Sequence, residues 1–265
     1  MVGSLDTLSF YRRADSDETF VRHKGGPSKK DIMHSPRFVK TRHNMAEFGG
    51  RSTAATYIAK SLRHLDIVAK GTVSNKLKRP LTTIQHLDPV SGVGKRNIIL
   101  SQRPGLLEGF SINKARTLES MASTPILSEV FPESATAEVI IPEFIPRTNL
   151  HLPERFPFYR FVFSFAIVPD FHYSERGYHP NISRLTYAAE THQSTEWVST
   201  KSPFPGEKLS MVVQKPASDA PFVFVLGAAI QIGMPSEFGS IERVKNEGAG
   251  KILRVVPSGI QITDT

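Results

Sequence analysis

Within residues 35–50, "SPRFVKTRHNMAEFGG", the basic or imidazole side chains Arg37, Lys40, Arg42 and His43 stand among Phe38, Val39, Met45 and Phe48. This mixture does recognition chemistry: guanidinium and ammonium groups answer carboxylates or phosphates, while large apolar groups anchor against a surface. Arg51 follows closely, and Lys95 with Arg96 adds two more cations in the loop "SGVGKRN" at 91–97. The candidate partner-binding set is therefore Phe38, Met45 and Phe48 as anchors, with Arg37, Lys40, Arg42, Arg51, Lys95 and Arg96 as charges.

Other chemistry finds less support. "SGVGKRN" resembles a phosphate-cradling loop at first sight, but Pro89 stands where that pattern needs glycine, and Arg96 where Ser or Thr would hold magnesium. A basic turn is expected instead. "GFSIN" at Gly109 lacks the closing glycine of a Gly-x-Ser-x-Gly elbow. His151, His172, His179 and His192, the last near Glu190, show no i, i+4 pair of the kind helical metal ligands need. Glu138, Glu143 and Glu154 have no mate for acid–base work. Trp197 and the phenylalanine stripes offer a stacking platform for bases or sugars, yet alternating aromatics more often build a core. No catalytic residue, cofactor or metal is expected.

Composition narrows the field further. The chain has 265 residues and no cysteine, which excludes thiol nucleophiles, thiolate zinc sites, iron–sulfur clusters and disulfides. Its N-terminus lacks the pattern of a signal peptide, and its longest near-apolar run, 221–233, is shorter than the roughly 20 residues that span a bilayer. A cytoplasmic protein is expected, with export by a signal-less route left open. Charge is distributed unevenly: residues 1–116 hold 21 Lys or Arg against 9 Asp or Glu, whereas residues 117–265 hold 12 against 16. A basic front half seeks either a polyanion or the acidic half of a neighbouring copy.

The elements that position these groups follow from periodicity. "LDTLSFYRR" and "ETFVRHK" alternate on either side of "ADSD", predicting a hairpin that ends at Gly25-Gly26-Pro27. Ser35 and Pro36 mark a helix start, continued by Phe38, Arg42, Met45 and Phe48. Gly49-Gly50 interrupts that pattern before Ala54, Ile58, Leu62 and Leu65 resume it, predicting two helices or one bent at the glycines. A short helix broken near Pro80 and then loops or short strands are expected over 72–116. From about Ala137 the period becomes two. "FYRFVFSFAIV" aligns Phe161, Phe163, Phe165 and Ile167 on one face, "FVFVLGAAIQI" repeats the device, and shorter runs occur at "AEVII", "RLTYAA", "TEWVS", "LSMVVQK", "KILRVV" and "GIQI". The expected fold is α+β, an N-terminal hairpin and helices over 1–116 followed by an antiparallel β-sandwich over 117–265, with a barrel as the competitor. Small residues opposite the aromatics imply one packed and one semi-exposed sheet face.

The order "GSLDTLSFYRR…FVRHKGG", "SPRFVKTRHNMAEFGGRSTAATYIAKSLRHL" and "GKRNIIL…LLEGFSIN", followed by a β-rich half, resembles a family of uncharacterised bacterial proteins of Bacteroidetes type that often occur as several paralogues. The resemblance is most specific over residues 3–113. It implies an α plus β arrangement and supplies no activity or site residues.

These observations favour a non-enzymatic structural protein that self-assembles into a homo-oligomer or filament, its basic N-terminal region docking on a neighbouring β-sandwich. The alternative is nucleic-acid binding through the same cations, and third stands a carbohydrate-binding sandwich that uses Trp197 and nearby tyrosines.

Overall fold

The computed structural model describes residues 3–5, 7–13, 16–23, 25–182 and 189–259. Its contacts divide the chain into two compact units, Met1–Met45 and Ala46–Thr265. The boundary lies within a helix.

The N-terminal unit is an antiparallel three-stranded sheet in the order β1 (Gly3–Leu5), β2 (Leu8–Arg12), β3 (Thr19–His23). The β2–β3 hairpin is the expected one, with Phe10 opposite Val21, and β1 adds a third strand. Helix α1 (Lys29–His34) begins at a capping box: Ser28 Oγ accepts from the Asp31 amide, and Asp31 accepts from the Ser28 amide.

A 3-10 turn at Pro36–Phe38 leads into α2 (Val39–Ser61), which runs unbroken through Gly49-Gly50. Of the two expectations, two helices or one, the segment is one helix. Gly50 permits close packing, because a Cβ there would lie 2.6 Å from the Tyr178 ring. Helix α3 (Val73–His86) likewise continues through Pro80, since its stripe Val73, Leu77, Leu81 and Ile84 is buried. Burial of that stripe outweighs the hydrogen bond that proline removes.

After the short α4 (Leu118–Met121) come β4 (Leu127–Phe131), β5 (Thr136–Ile141), β6 (Phe158–Pro169), β7 (Phe171–Ser174), β8 (Gly177–Pro180), β9 (Glu190–Ser194), β10 (Val198–Ser199), β11 (Glu207–Val212), β12 (Phe222–Pro235), β13 (Ile241–Arg243) and β14 (Ala249–Pro257). All these strand pairs are antiparallel. The largest sheet is built on the long β6–β12 pair, with β9 and β10 beside β6, and β13 and β14 beside β12. A second sheet has the order β11-β5-β4, and β7 pairs with β8. Among the described residues no sheet closes into a barrel. Most of the strands expected at 184–189 and 259–262 lies outside the described residues.

The alternation in β6 and β12 separates two cores. Phe161, Phe163, Phe165, Phe224, Leu226 and Ile230 meet Val130, Val139, Ile141 and Met211 of the β11-β5-β4 sheet. The opposite parity, Val162, Val168, Val223, Val225 and Ala229, meets Ala54, Ile58, Leu62, Leu65, Leu77 and Leu81 of the helical layer. The expectation of a semi-exposed face is therefore corrected. Small residues line it because helices approach closely there: Ser164 Oγ donates to the Ser61 carbonyl at 2.6 Å, and a Cβ at Gly227 would meet Leu65 at 2.7 Å.

Candidate functional site

No described residue between 3 and 45 is buried. The N-terminal unit instead exposes Leu5, Val21, Met33, Val39 and Met45, with Leu5 at 69% and Met45 at 54% of full exposure. Three of its cations rest on aromatic faces. Arg13 lies 4.7 Å from the Phe20 centroid, Arg22 lies 5.3 Å from that of Tyr11, and Arg37 lies 4.7 Å from that of Phe38. A three-stranded ribbon and a six-residue helix that enclose no apolar core fall short of what folds independently in water.

The candidate partner-binding residues divide into two groups. Arg37, Lys40, Met45, Phe48 and Lys95 are exposed, and Phe38 is half-buried. Lys78 sits 4.7 Å from the Phe48 centroid, and Lys95 lies 5.8 Å from that of Tyr173. By contrast, Arg42, Arg51 and Arg96 are engaged within the chain. Arg42 Nη1 donates to the carbonyls of Ile32 and Ser35 at 2.8 and 2.9 Å, closing the end of α1. Arg51 Nη1 donates to Gln85 Oε1 at 2.7 Å and approaches Glu47 at 3.9 Å, while Arg96 lies 3.8 Å from Glu47.

Glu47 is the buried centre of that second cluster. It accepts from the Gly94 amide at 2.8 Å, so the 91–97 loop spends this N–H on a carboxylate of its own chain instead of a phosphate. The Tyr178 hydroxyl donates to the Arg96 carbonyl at 2.8 Å and accepts from Gln85 Nε2 at 3.1 Å. Burial, and secondarily the charge of Glu47, pushes the Tyr178 phenol up to about 12. The loop thus serves as an internal brace.

An apolar and acidic surface lies elsewhere in the larger unit. Register places Leu127, Ile140 and Lys208 in one row across β4-β5-β11, Glu129, Glu138 and Ser210 in the next, and Phe131, Thr136 and Val212 in the third. All point away from the core lined by Val130, Val139 and Met211. Leu127, Phe131, Ile140 and Val212 are exposed, the last at 63%. Residues 117–146 contain five glutamates and neither Lys nor Arg. Lys208, from the edge strand, pairs with Glu138 at 2.9 Å.

The remaining candidates are placed as follows. His192 stacks on His64 with centroids 3.5 Å apart, and Glu190 pairs with Arg63. Burial, and then the neighbouring His192, lowers the His64 pKa to about 4. His172 pairs across the β7–β8 hairpin with His179 and lines a cavity of about 360 Å³ with Ser101 and Asp170. There Ser101 Oγ donates to Asp170 Oδ2 at 2.5 Å, a different wiring from a nucleophile whose proton is taken by an imidazole. Among the described residues no three His, Asp or Glu side chains gather as a metal site. Trp197 is half-buried, beside Arg160.

Sequence reasoning missed the outward face of β4-β5-β11. Its available signal was the appearance of large apolar residues at both parities in "ILSEVF" and "TAEVII". No family model, curated protein or solved structure matches this chain.

Proposed function

We propose that this chain is a non-enzymatic structural protein that assembles head to tail, its N-terminal unit docking on the outward β4-β5-β11 face of the next copy. The observation that carries the proposal is the absence of any buried side chain among the described residues 3–45. Such a segment gains a core only by placing Leu5, Val21, Met33 and Met45 against a surface outside itself. Charge supplies the match: residues 1–45 hold 9 Lys or Arg against 5 Asp or Glu, and two of the three strands of the acceptor face, β4 and β5, lie in the cation-free stretch 117–146, while β11 adds Lys208 at the edge. Phe38 and Met45 are the anchors, with Arg37 and Lys40 opposite Glu129 and its neighbours. Heterologous contacts of this sort close into rings or extend as filaments. The two sheets that share a core are read as an antiparallel sandwich, and a cytoplasmic setting and the bacterial family resemblance belong to the same proposal.

Every buried residue among those described lies in 46–265, so a chain lacking 1–45 keeps both cores. Light scattering should show assembly for the full chain and a folded monomer for the truncated one. A truncated chain that assembles as before removes the proposal. Ile140→Lys with Val212→Lys should also leave a monomer; mixed with the truncated chain, it should give a heterodimer of limited size. If that double variant assembles normally while the truncated chain does not, the docking segment stands and the acceptor face is wrong.

One observation favours a second reading, binding of nucleic acid by the helical layer. Residues 46–116 hold 12 Lys or Arg and four Asp or Glu. Three of those carboxylates are engaged within the chain: Glu47 accepts from Gly94, Asp88 from Val90 and Asn97, and Glu108 from Val255. Lys60, Lys70, Arg79, Arg103 and Lys114 stay exposed, with no ion pair among the described residues. A gel shift of single- or double-stranded DNA or RNA that weakens steeply with salt would support this reading, and no shift at low salt would dismiss it.

A further inference from the structure

Three cations from separate parts of the larger unit converge on one cavity of about 390 Å³, lined by Ile67, Arg160, Trp197, Glu242, Arg243 and Lys245. Arg160 comes from β6, Arg243 from β13, and Lys245 from the turn beyond it. Their positions are fixed by the fold. The Arg160 guanidinium lies 4.5 Å from the Trp197 ring centroid, and its Nε and Nη2 both donate to Gln231 Oε1 at 3.1 and 3.0 Å. Gln231 is itself buried, and its Nε2 donates to the His64 carbonyl at 2.8 Å.

Trp197 is seated as firmly. A Cβ at Gly233 would come within 2.7 Å of the indole and 2.6 Å of Ile241, so only glycine leaves room for the ring. The Lys245 turn is tied to the helical layer by the Asn246 amide, which donates to the Ile67 carbonyl at 2.8 Å. Asn246 adopts φ 63°, a left-handed conformation that asparagine tolerates.

Bringing such groups together is unfavourable unless negative charge answers them. Arg160, Arg243 and Lys245 form no ion pair among the described residues, although Glu242 lines the cavity and Glu196 and Asp66 stand within electrostatic reach. Burial first, and then the charge of Arg243, weighs against the protonated form of Arg160. Two of the five guanidinium N–H groups of Arg160 are spent on Gln231, which leaves others in the planar fork that suits a phosphate or carboxylate.

We propose that this cavity is a binding site for a small organic oxyanion, a phosphate monoester in the first instance, held by Arg160, Arg243 and Lys245 beside the Trp197 ring. Cations line the cavity instead of the tyrosines that a neutral-sugar platform would use. The site is independent of the assembly proposed above, because it uses neither the N-terminal unit nor the β4-β5-β11 face.

The chain's one tryptophan is in this cavity, so its intrinsic fluorescence reports on the site without a label. Titration of the full chain with inorganic phosphate, glucose 6-phosphate and glucose separates the contributions. Both anions should change the Trp197 signal saturably, with Kd of roughly 0.1–1 mM, while glucose leaves it unchanged. Arg243→Ala and Lys245→Ala remove exposed side chains and should each weaken phosphate about tenfold with the fold intact by circular dichroism. An equal response to glucose and glucose 6-phosphate would overturn the oxyanion assignment. So would a flat signal with both anions, or binding that both variants leave unchanged.

Discussion

Gly49 and Gly50 are adjacent in α2, yet alanine at each should move stability in opposite directions. A glycine-to-alanine change inside a helix stabilises by about 0.5–1 kcal/mol, because alanine has less backbone freedom to lose. At Gly49 nothing lies within 4 Å of an added Cβ, so that gain should appear in full. At Gly50 the new methyl would stand 2.6 Å from Cγ and Cδ1 and 2.7 Å from Cδ2 of Tyr178. Carbon pairs prefer about 3.5–4.0 Å, so ring or helix must shift by roughly 1 Å. The ring is held at its far end by the Arg96 carbonyl and Gln85 Nε2. Overpacking of this kind costs about 1–3 kcal/mol, and strained hydrogen bonds add about 1 kcal/mol. The net expectation for Gly50→Ala is a loss of about 1–3 kcal/mol. Urea unfolding followed by circular dichroism should place Gly49→Ala above the parent chain and Gly50→Ala below it, with slopes unchanged. Equal midpoints for the two variants would refute the claim that Tyr178 is locked against α2.

Tyr178→Phe removes the hydroxyl that joins the Arg96 carbonyl to Gln85 and should lower stability by about 1–2 kcal/mol, read from the same unfolding curves. Burial and His192 depress the His64 pKa from 6.5 to about 4, so between those values the unfolded chain binds a proton that the folded chain refuses. Stability should therefore fall as pH drops through that window and level off below it. His64→Gln should fall less steeply, and parallel pH profiles for the two chains would count against the assignment. Reversing charge with Arg37→Glu and Lys40→Glu should abolish assembly measured by sedimentation, while adding Glu129→Lys and Glu138→Lys should recover part of it.

The long strands were legible because β6 and β12 keep strict alternation between prolines, with Phe161, Phe163 and Phe165 all inward. What covered their other face was not. Gly227 is small because Leu62 and Leu65 lie close above it, and Ser164 reaches the Ser61 carbonyl of the same helix, but sequence alone assigns small residues equally well to a partly wet surface. Gly49-Gly50 and Pro80 carried the usual marks of helix interruption. Tertiary burial on Tyr178 and on the Leu77–Leu81 stripe overrode both. Of the candidate binding residues, the exposed positions Arg37, Lys40, Met45 and Phe48 were readable from amphipathic spacing. Arg51 and Arg96 were not, because their partners Gln85 and Glu47 are distant in sequence or hidden within the same basic run.

The helical layer rests on strands that the ribosome makes much later. Ala54, Ile58 and Leu62 emerge early, yet the surface they cover includes Val223, Val225, Ile252 and Val255. During synthesis, α2 and α3 must therefore wait with apolar stripes open to the cell until more than half the polypeptide has followed them. Their lysines and arginines give the waiting segment a net positive charge, whose self-repulsion opposes association. Co-translational maturation of this chain is thus a late, concerted event governed by the arrival of β12 and β14, and slow translation through β12 should lengthen the period in which chaperones hold it.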